Sequence, residues 1–436
     1  MISIDKIKNS SIAKRIISGA FWSLTGTALA KLIVLISGIL CAHVLGKEEY
    51  GEFGMVRSTI NLFVVFGTAG FGVTLTKFVS EYKKTEQSKI NGIYTSTNIF
   101  VFIIAVIVTV LAMIYAEEIA TFTINAPHLK NPIRLGCLLL FITTINGVQN
   151  GTLAGFEDFK SIAINTLYGS IAEAVLMLLG GYYYGVSGAI FGYGCGFLVI
   201  YICNRISINK NFKKYNITIH YQKPTSEYIK LIFKFTLPLA ISSFIVMPTF
   251  WINRANLVNS NGFEELAIYE AADQWRIIIL FLPTSIGRIV LPILSSISNN
   301  DKQNNFWRVV NINLYLNAGV SLFFALFVVL FAQQIMYSYG ESYNDTTTLI
   351  LLALSTIPSS MSSIIGSSIV SRSKIWIGLS FNLFWSIIMI STTYLFISLG
   401  YGASSIAYGT LISYTIHFIL QFTYLRVTVN NNTKNK

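Results

Sequence analysis

Five ionisable side chains stand inside long apolar stretches of this sequence: Lys31, Arg57, Glu173, Asp273 and Arg276. A charge at the centre of a lipid-embedded helix costs roughly 2.5–3.5 kcal/mol, so each asks for a function or a partner. Two chemistries fit them. Three cations can receive an anion, and arginine grips phosphate or carboxylate with two parallel N–H donors. The two carboxylates, Glu173 and Asp273, can bind and release a proton or a sodium ion. The structural alternative is mutual neutralisation. Asp273 and Arg276 are three residues apart, neighbours on a helix surface, and Lys31 with Glu173 would be the other pair. Lys77, Arg134, Lys234 and Arg288 lie near the ends of apolar stretches, where a long side chain reaches the interface.

Enzyme chemistry finds little footing. There is no Walker A run, no HExxH and no Gly-x-Ser-x-Gly. Gly192-x-Gly194-x-Gly196 falls inside an apolar stretch and reads as a helix-packing surface, not a nucleotide loop. The histidines His43, His128, His220 and His417 are scattered. The cysteines Cys41, Cys137, Cys195 and Cys203 lack metal-ligand spacing. No cofactor or metal is expected.

The elements that must position these charges are membrane helices. The chain is 53% hydrophobic and only 11% charged, against about 25% charged in soluble domains. A bilayer core takes about 20 apolar residues per helix. Twelve such segments are expected, at 18–42, 54–79, 93–116, 133–155, 162–184, 187–203, 231–253, 268–293, 309–332, 349–370, 377–399 and 403–424. They are too long, and alternate too little, for barrel strands, so the fold expected is all-α and polytopic. Ala28-Leu29-Ala30 looks like a cleavage site, but the apolar run continues to Leu45, so a retained first helix is expected.

With twelve spans both termini share a side. Of the 31 Lys and Arg, 21 fall in the loops and tails of that side, whereas Lys47, Lys130 and Arg254 are assigned to the other. The positive-inside rule puts both termini in the cytoplasm, with Asn211 and Asn432 inside and Glu118 and Tyr343 outside. The opposite side is acidic, and Glu270 is counted there. The basic residues are dispersed over seven segments, which fits membrane topology and anionic lipid better than nucleic acid.

The sequence also repeats. Gly46-x-Glu48-Glu49 recurs as Gly262-x-Glu264-Glu265, and Tyr193-Gly194 recurs as Tyr408-Gly409. The shift of about 216 residues implies two parallel six-helix bundles, 1–208 and 231–436, joined by a cytoplasmic linker, 209–230. Polar faces recur on corresponding helices: Ser23, Thr27 and Lys31 on the first, Arg57 and Asn61 on the second, Thr249 and Asn253 on the seventh, Asp273 and Arg276 on the eighth. Paired bundles around a midplane cavity are a recurrent transporter plan, here with a cationic lining. Pro238, Pro248, Pro283, Pro292 and Pro358 lie within expected spans and free backbone carbonyls there.

The stretch Ala42-His-Val-Leu-Gly-Lys-Glu-Glu-Tyr-Gly-Glu-Phe-Gly resembles a signature of bacterial polysaccharide flippases, the Wzx-type O-antigen and capsule-unit translocases of the MOP superfamily. Lys14-Arg15 before Gly-Ala-Phe-Trp, the segment from Tyr269 to Pro292, and the Gly-rich turns at Gly185 and Gly400 resemble the same family. The resemblance implies a bacterial cytoplasmic-membrane transporter with a cationic vestibule. Its cargo would be an undecaprenyl-pyrophosphate-linked oligosaccharide, and membrane lipids and the polymerase and chain-length machinery would be its partners. Three alternatives remain: a MATE-type drug or cation antiporter, which would want cation-binding acids; a peptidoglycan-precursor flippase, which would want two more spans; and a Wzy-type polymerase, which would want a large outer loop.

Overall fold

The computed structural model describes residues 11–434 apart from 69, 219, 221–223, 288–302 and 373, and among these no strand occurs. The long helices are α1 (Ser11–Leu45), α2 (Lys47–Thr68), α3 (Phe71–Thr85), α4 (Gln87–Ile114), α5 (Lys130–Gly155), α6 (Phe159–Lys214), α7 (Ser226–Asn261), α8 (Phe263–Ile279), α9 (Gln303–Leu330), α10 (Thr346–Ser371), α11 (Ile375–Ser398) and α12 (Ser404–Lys434). Seven of the helices are long and apolar enough to cross a membrane. Exposed apolar side chains such as Leu29, Leu32, Ile36 and Leu40 form stripes along them, which lipid covers without cost. The protein is all-α and multi-pass. Helices satisfy every backbone group internally, which the hydrocarbon interior demands.

The joints sit where glycine permits a left-handed backbone. Gly46 (φ +79°) separates α1 from α2, and Gly262 (φ +87°) separates α7 from α8. These are the two glycines of the 216-residue repeat, so the repeated sequence makes a repeated turn. The second pair behaves alike: Gly185 (φ +57°) and Gly400 (φ +88°) each open the last helix of a half. Around Gly185, α6 is two helices, 159–183 and 186–214, because Tyr184 and Gly185 leave helical dihedrals. Its arms then touch through glycine. A Cβ on Gly188 would stand 2.0 Å from the Gly180 carbonyl oxygen, and one on Gly192 would stand 2.3 Å from the Leu176 backbone.

Two expectations change. The segment 54–79 is interrupted: α2 ends at Thr68 and α3 begins after Gly70 (φ +80°). Gly67, Gly70 and Gly72 crowd this break, and Gly72 lies against the Gly147 carbonyl. The segment 268–293 breaks at Leu280 and is helical again over 281–287. Pro283 has no N–H for the Ile279 carbonyl, which accounts for the break. Residues beyond 287 there, with Arg288 and Pro292, lie outside the described residues. Pro248 and Pro358, by contrast, sit inside unbroken helices.

Packing divides the chain into two units. One contains Val56–Phe244 with the helix ending at Leu45, and the other contains Gly46–Met55 with Ile245–Lys436. The division by packing falls inside α7, between Phe244 and Ile245. The reason is that the start of α7 belongs to the first core: Tyr228 and Ile232 pack with Phe71, Leu75, Ile93, Val148 and Phe212. The second unit has its own core of Phe306, Val310, Ile364, Ile365, Leu425 and Val429.

Two measurements test this architecture. Gly192→Leu must push the arms of α6 apart and cost about 1–3 kcal/mol by overpacking, seen as a lower unfolding temperature in detergent. For orientation, Asn211 and Tyr343 are buried, but Asn209, Glu118 and Ser342 are exposed. Cysteines at Glu118 and Ser342 should react with an impermeant maleimide on intact cells, and one at Asn209 only after permeabilisation. Labelling of Asn209 on intact cells would reverse the orientation.

Candidate functional site

The charges expected in the interior lie in two clusters, one per unit. In the first unit Arg57 on α2 acts electrostatically on Glu173 of α6. The Tyr193 hydroxyl is hydrogen-bonded to the side chain of Asn61, one turn beyond Arg57, and feels both charges. Gly196 makes this possible, since its missing Cβ would stand 2.6 Å from the Glu173 Cβ. Glu173 thus takes Arg57 as its electrostatic partner. Lys31 is half-buried on α1. At about 100° per residue it lies roughly 140° around the helix from the centre of the Leu29–Leu32–Ile36–Leu40 stripe. It does not share the face that lipid would cover.

In the second unit four charges form a chain. Arg254 Nε donates to Glu270 Oε1 at 2.6 Å, and its terminal nitrogen donates to Asp273 Oδ2 at 3.2 Å. Arg276 Nε donates to Asp273 Oδ1 at 2.5 Å. All four residues are at most 9% exposed. The i, i+3 pairing of Asp273 and Arg276 follows from the helix, but Asp273 is shared. The Arg254 guanidinium lies over the Tyr269 ring at 5.0 Å and that of Arg276 over Phe250 at 5.2 Å. Two acids and two arginines leave the cluster formally neutral.

Sequence reasoning missed Arg254 and Glu270. Arg254 was placed beyond the seventh span, but α7 continues to Asn261, so Arg254 stays on the helix wall, facing Glu270. The polar face of Thr249 and Asn253 did not signal it, because at about 100° per residue Arg254 lies a quarter-turn or more away from both. The cluster is fixed by its neighbours. Gln274 donates to the Tyr50 hydroxyl at 2.7 Å and accepts from Tyr339 at 3.1 Å. Gly54 packs on Glu270, where a Cβ would come within 2.6 Å of Cγ. In the first turn of α8, Glu265 accepts from the Ala403 N–H at 2.6 Å, tying it to the start of α12. No group of three metal-ligating side chains occurs among the described residues.

A family model described as "Polysaccharide biosynthesis protein" matches residues 16–298. The chain belongs to that family. Over 93% of its length it is 22% identical to the EPS I polysaccharide export inner membrane protein EpsE of Ralstonia solanacearum, of which it covers 92%. It is 24% identical to a proposed O-antigen transporter of Shigella flexneri, over 78% of this chain and 80% of that one. A solved multidrug resistance MATE family transporter of the MOP superfamily matches with a TM-score of 0.80 at 17% identity, over 95% of this chain and 99% of that one. The resemblance read from residues 42–54 therefore extends along the whole polysaccharide biosynthesis family member, and its fold is that of the MOP transporters.

The second cluster carries a stability prediction for this family member. Arg254→Ala removes the guanidinium that two buried carboxylates share, leaving Arg276 on Asp273, and should destabilise the protein by about 3 kcal/mol. Replacing the pair together, Arg254→Met with Glu270→Met, should cost clearly less. Thermal unfolding in detergent measures both, and equal losses would mean the ion pair is not what holds α7 to α8.

Proposed function

We propose that this protein moves lipid-linked oligosaccharide units, of the undecaprenyl-pyrophosphate type, across the bacterial cytoplasmic membrane for surface polysaccharide assembly. The observation that carries this reading is the family match together with the end-to-end likeness to a polysaccharide export membrane protein. Both termini lie in the cytoplasm on this reading. Lys31, Arg57 and Arg276 receive the anionic pyrophosphate. Arginine matters there because its planar fork matches phosphate geometry.

The paired acids disfavour the antiporter alternative. A carboxylate that binds a cationic drug must be open to it. Asp273 is occupied by two arginines and Glu173 has Arg57 acting on it. Each site instead offers an arginine already held by a carboxylate. A phosphate could take the guanidinium over from the carboxylate without ever leaving the cation bare. Glu173 and Asp273 are then the groups through which a proton or sodium ion would couple to transport.

Deleting the gene in its host should remove surface polysaccharide while lipid-linked units accumulate inside. In that strain Lys31→Ala, Arg57→Ala and Arg276→Ala should each cut transport about tenfold or more, since one desolvated phosphate contact is worth roughly 1.5–3 kcal/mol. Arg57→Lys and Arg276→Lys should be impaired as well. Lys77, which is exposed on α3, should tolerate alanine. Equal behaviour of Lys77 and the three interior cations would sink the cationic-site reading. Glu173→Gln and Asp273→Asn should alter the dependence of transport on the ion gradient, and no change in either removes their coupling role.

A further inference from the structure

One buried histidine stands outside both ion clusters. His417 lies on α12, about 20 Å along the axis from Ser404 at 1.5 Å per residue. Trp385 lies equally far from the end of α11 at Ser398. His417 is 7% exposed, Trp385 2% and Gln421 2%. The Trp385 and His417 rings are 6.4 Å apart between centroids, and Tyr414 stands 5.1 Å from Trp385 and 6.4 Å from His417. His417 Nε2 and Gln421 Nε2 are 3.0 Å apart. An amide nitrogen only donates, so in this assignment Nε2 of the histidine accepts and its ring proton sits on Nδ1.

Three polar atoms in this cluster are buried without a hydrogen-bond partner: His417 Nδ1, Gln421 Oε1 and Trp385 Nε1. One such atom costs about 1–3 kcal/mol, so three together on adjoining helices are not explained by packing. The charged surroundings are sparse. α10 and α11, which pack against α12, contain no charged residue, and on α12 itself Arg426 and Lys434 lie towards the far end. α8 contributes Asp273 and Arg276, which hold each other, and Arg276 acts electrostatically on Tyr414. Among the described residues no acid is ion-paired to His417.

We propose that His417, with Trp385 and Gln421, is a proton-binding site of the second unit, occupied only while the interior of that unit is hydrated. The proposal rests on reading the chain as a transporter driven without ATP. A second ring proton, taken from water, puts a full positive charge where no counter-ion stands. A dry apolar interior resists that charge strongly, and water removes the resistance. Proton binding and wetting therefore favour one another, and whatever wets the unit loads the site. The Gln421 amide turns over at the same moment, so that Oε1 accepts from the new Nε2–H, while Nδ1–H faces water.

The test uses the full-length protein in lipid nanodiscs, with no cargo, and protons as the only ligand. An imidazolium quenches a neighbouring indole, so tryptophan fluorescence is followed as the pH falls from about 8 to 4, through and below the range in which an ordinary histidine charges. A sigmoidal loss is expected. It should vanish in His417→Gln and in Trp385→Phe and persist in Trp376→Phe, whose ring is exposed at the start of α11. His417→Asn replaces the glutamine variant should that one not purify. A step that survives loss of the histidine overturns the proposal. In proteoliposomes His417→Gln should still move cargo but lose the severalfold stimulation that an imposed pH gradient gives the wild type, and undiminished stimulation also overturns it. Failure of every protein to move oligosaccharide, with the fluorescence pattern intact, would instead count against the cargo reading and leave the proton site standing.

Discussion

A helix bundle in lipid can keep an ion only by giving it a counter-ion, and the second unit is arranged around one such exchange. Arg254 bridges Glu270 and Asp273, and Asp273 in turn holds Arg276. Remove Arg254 and Glu270 loses the cation it faces while Asp273 keeps Arg276, in a medium that solvates charge poorly. The course of α7 through Asn261, the turn at Gly262 and the seating of Gly54 on Glu270 all serve to bring these four side chains within hydrogen-bonding reach. The first unit solves the same problem with fewer parts: Arg57 and Glu173, flanked by Asn61 and Tyr193.

Much of the fold was legible because lipid imposes a simple rule on sequence. Long apolar runs had to be helices, and the repeat marked Gly185 and Gly400 as equivalent turns, to which the backbone adds Gly46 and Gly262. The errors came where a local backbone preference broke a run that composition left continuous. Gly70 splits the stretch 54–79, and Pro283 accompanies the break at Leu280. Hydropathy averages over some twenty residues and cannot register a single dihedral.

The site was legible in part. Asp273 and Arg276 could be paired from their spacing alone, since three residues on a helix fix their proximity. Arg254 could not, because its partners are sixteen and nineteen residues away and the pairing depends on where α7 ends. Its charge looked like a topology signal, and Glu270 looked like outer-face acidity, until burial showed otherwise. His417 was dismissed for lack of a histidine or cysteine companion. Its companions are an indole and an amide, which no metal-ligand spacing would reveal.

The segment Gly46–Met55 is made early and packs late. Its contacts, Phe263 against Gly51, Glu270 against Gly54 and Gln274 against Tyr50, come from residues that leave the ribosome more than two hundred positions afterwards. During synthesis the start of α2 must wait in the membrane, carrying Lys47 and Glu52 without their final neighbours. Membrane insertion of the first half can therefore be complete while its assembly is not. A gene split at the linker would leave these ten residues on one fragment and Phe263, Glu270 and Gln274 on the other, so the two would have to meet in one membrane to make these contacts.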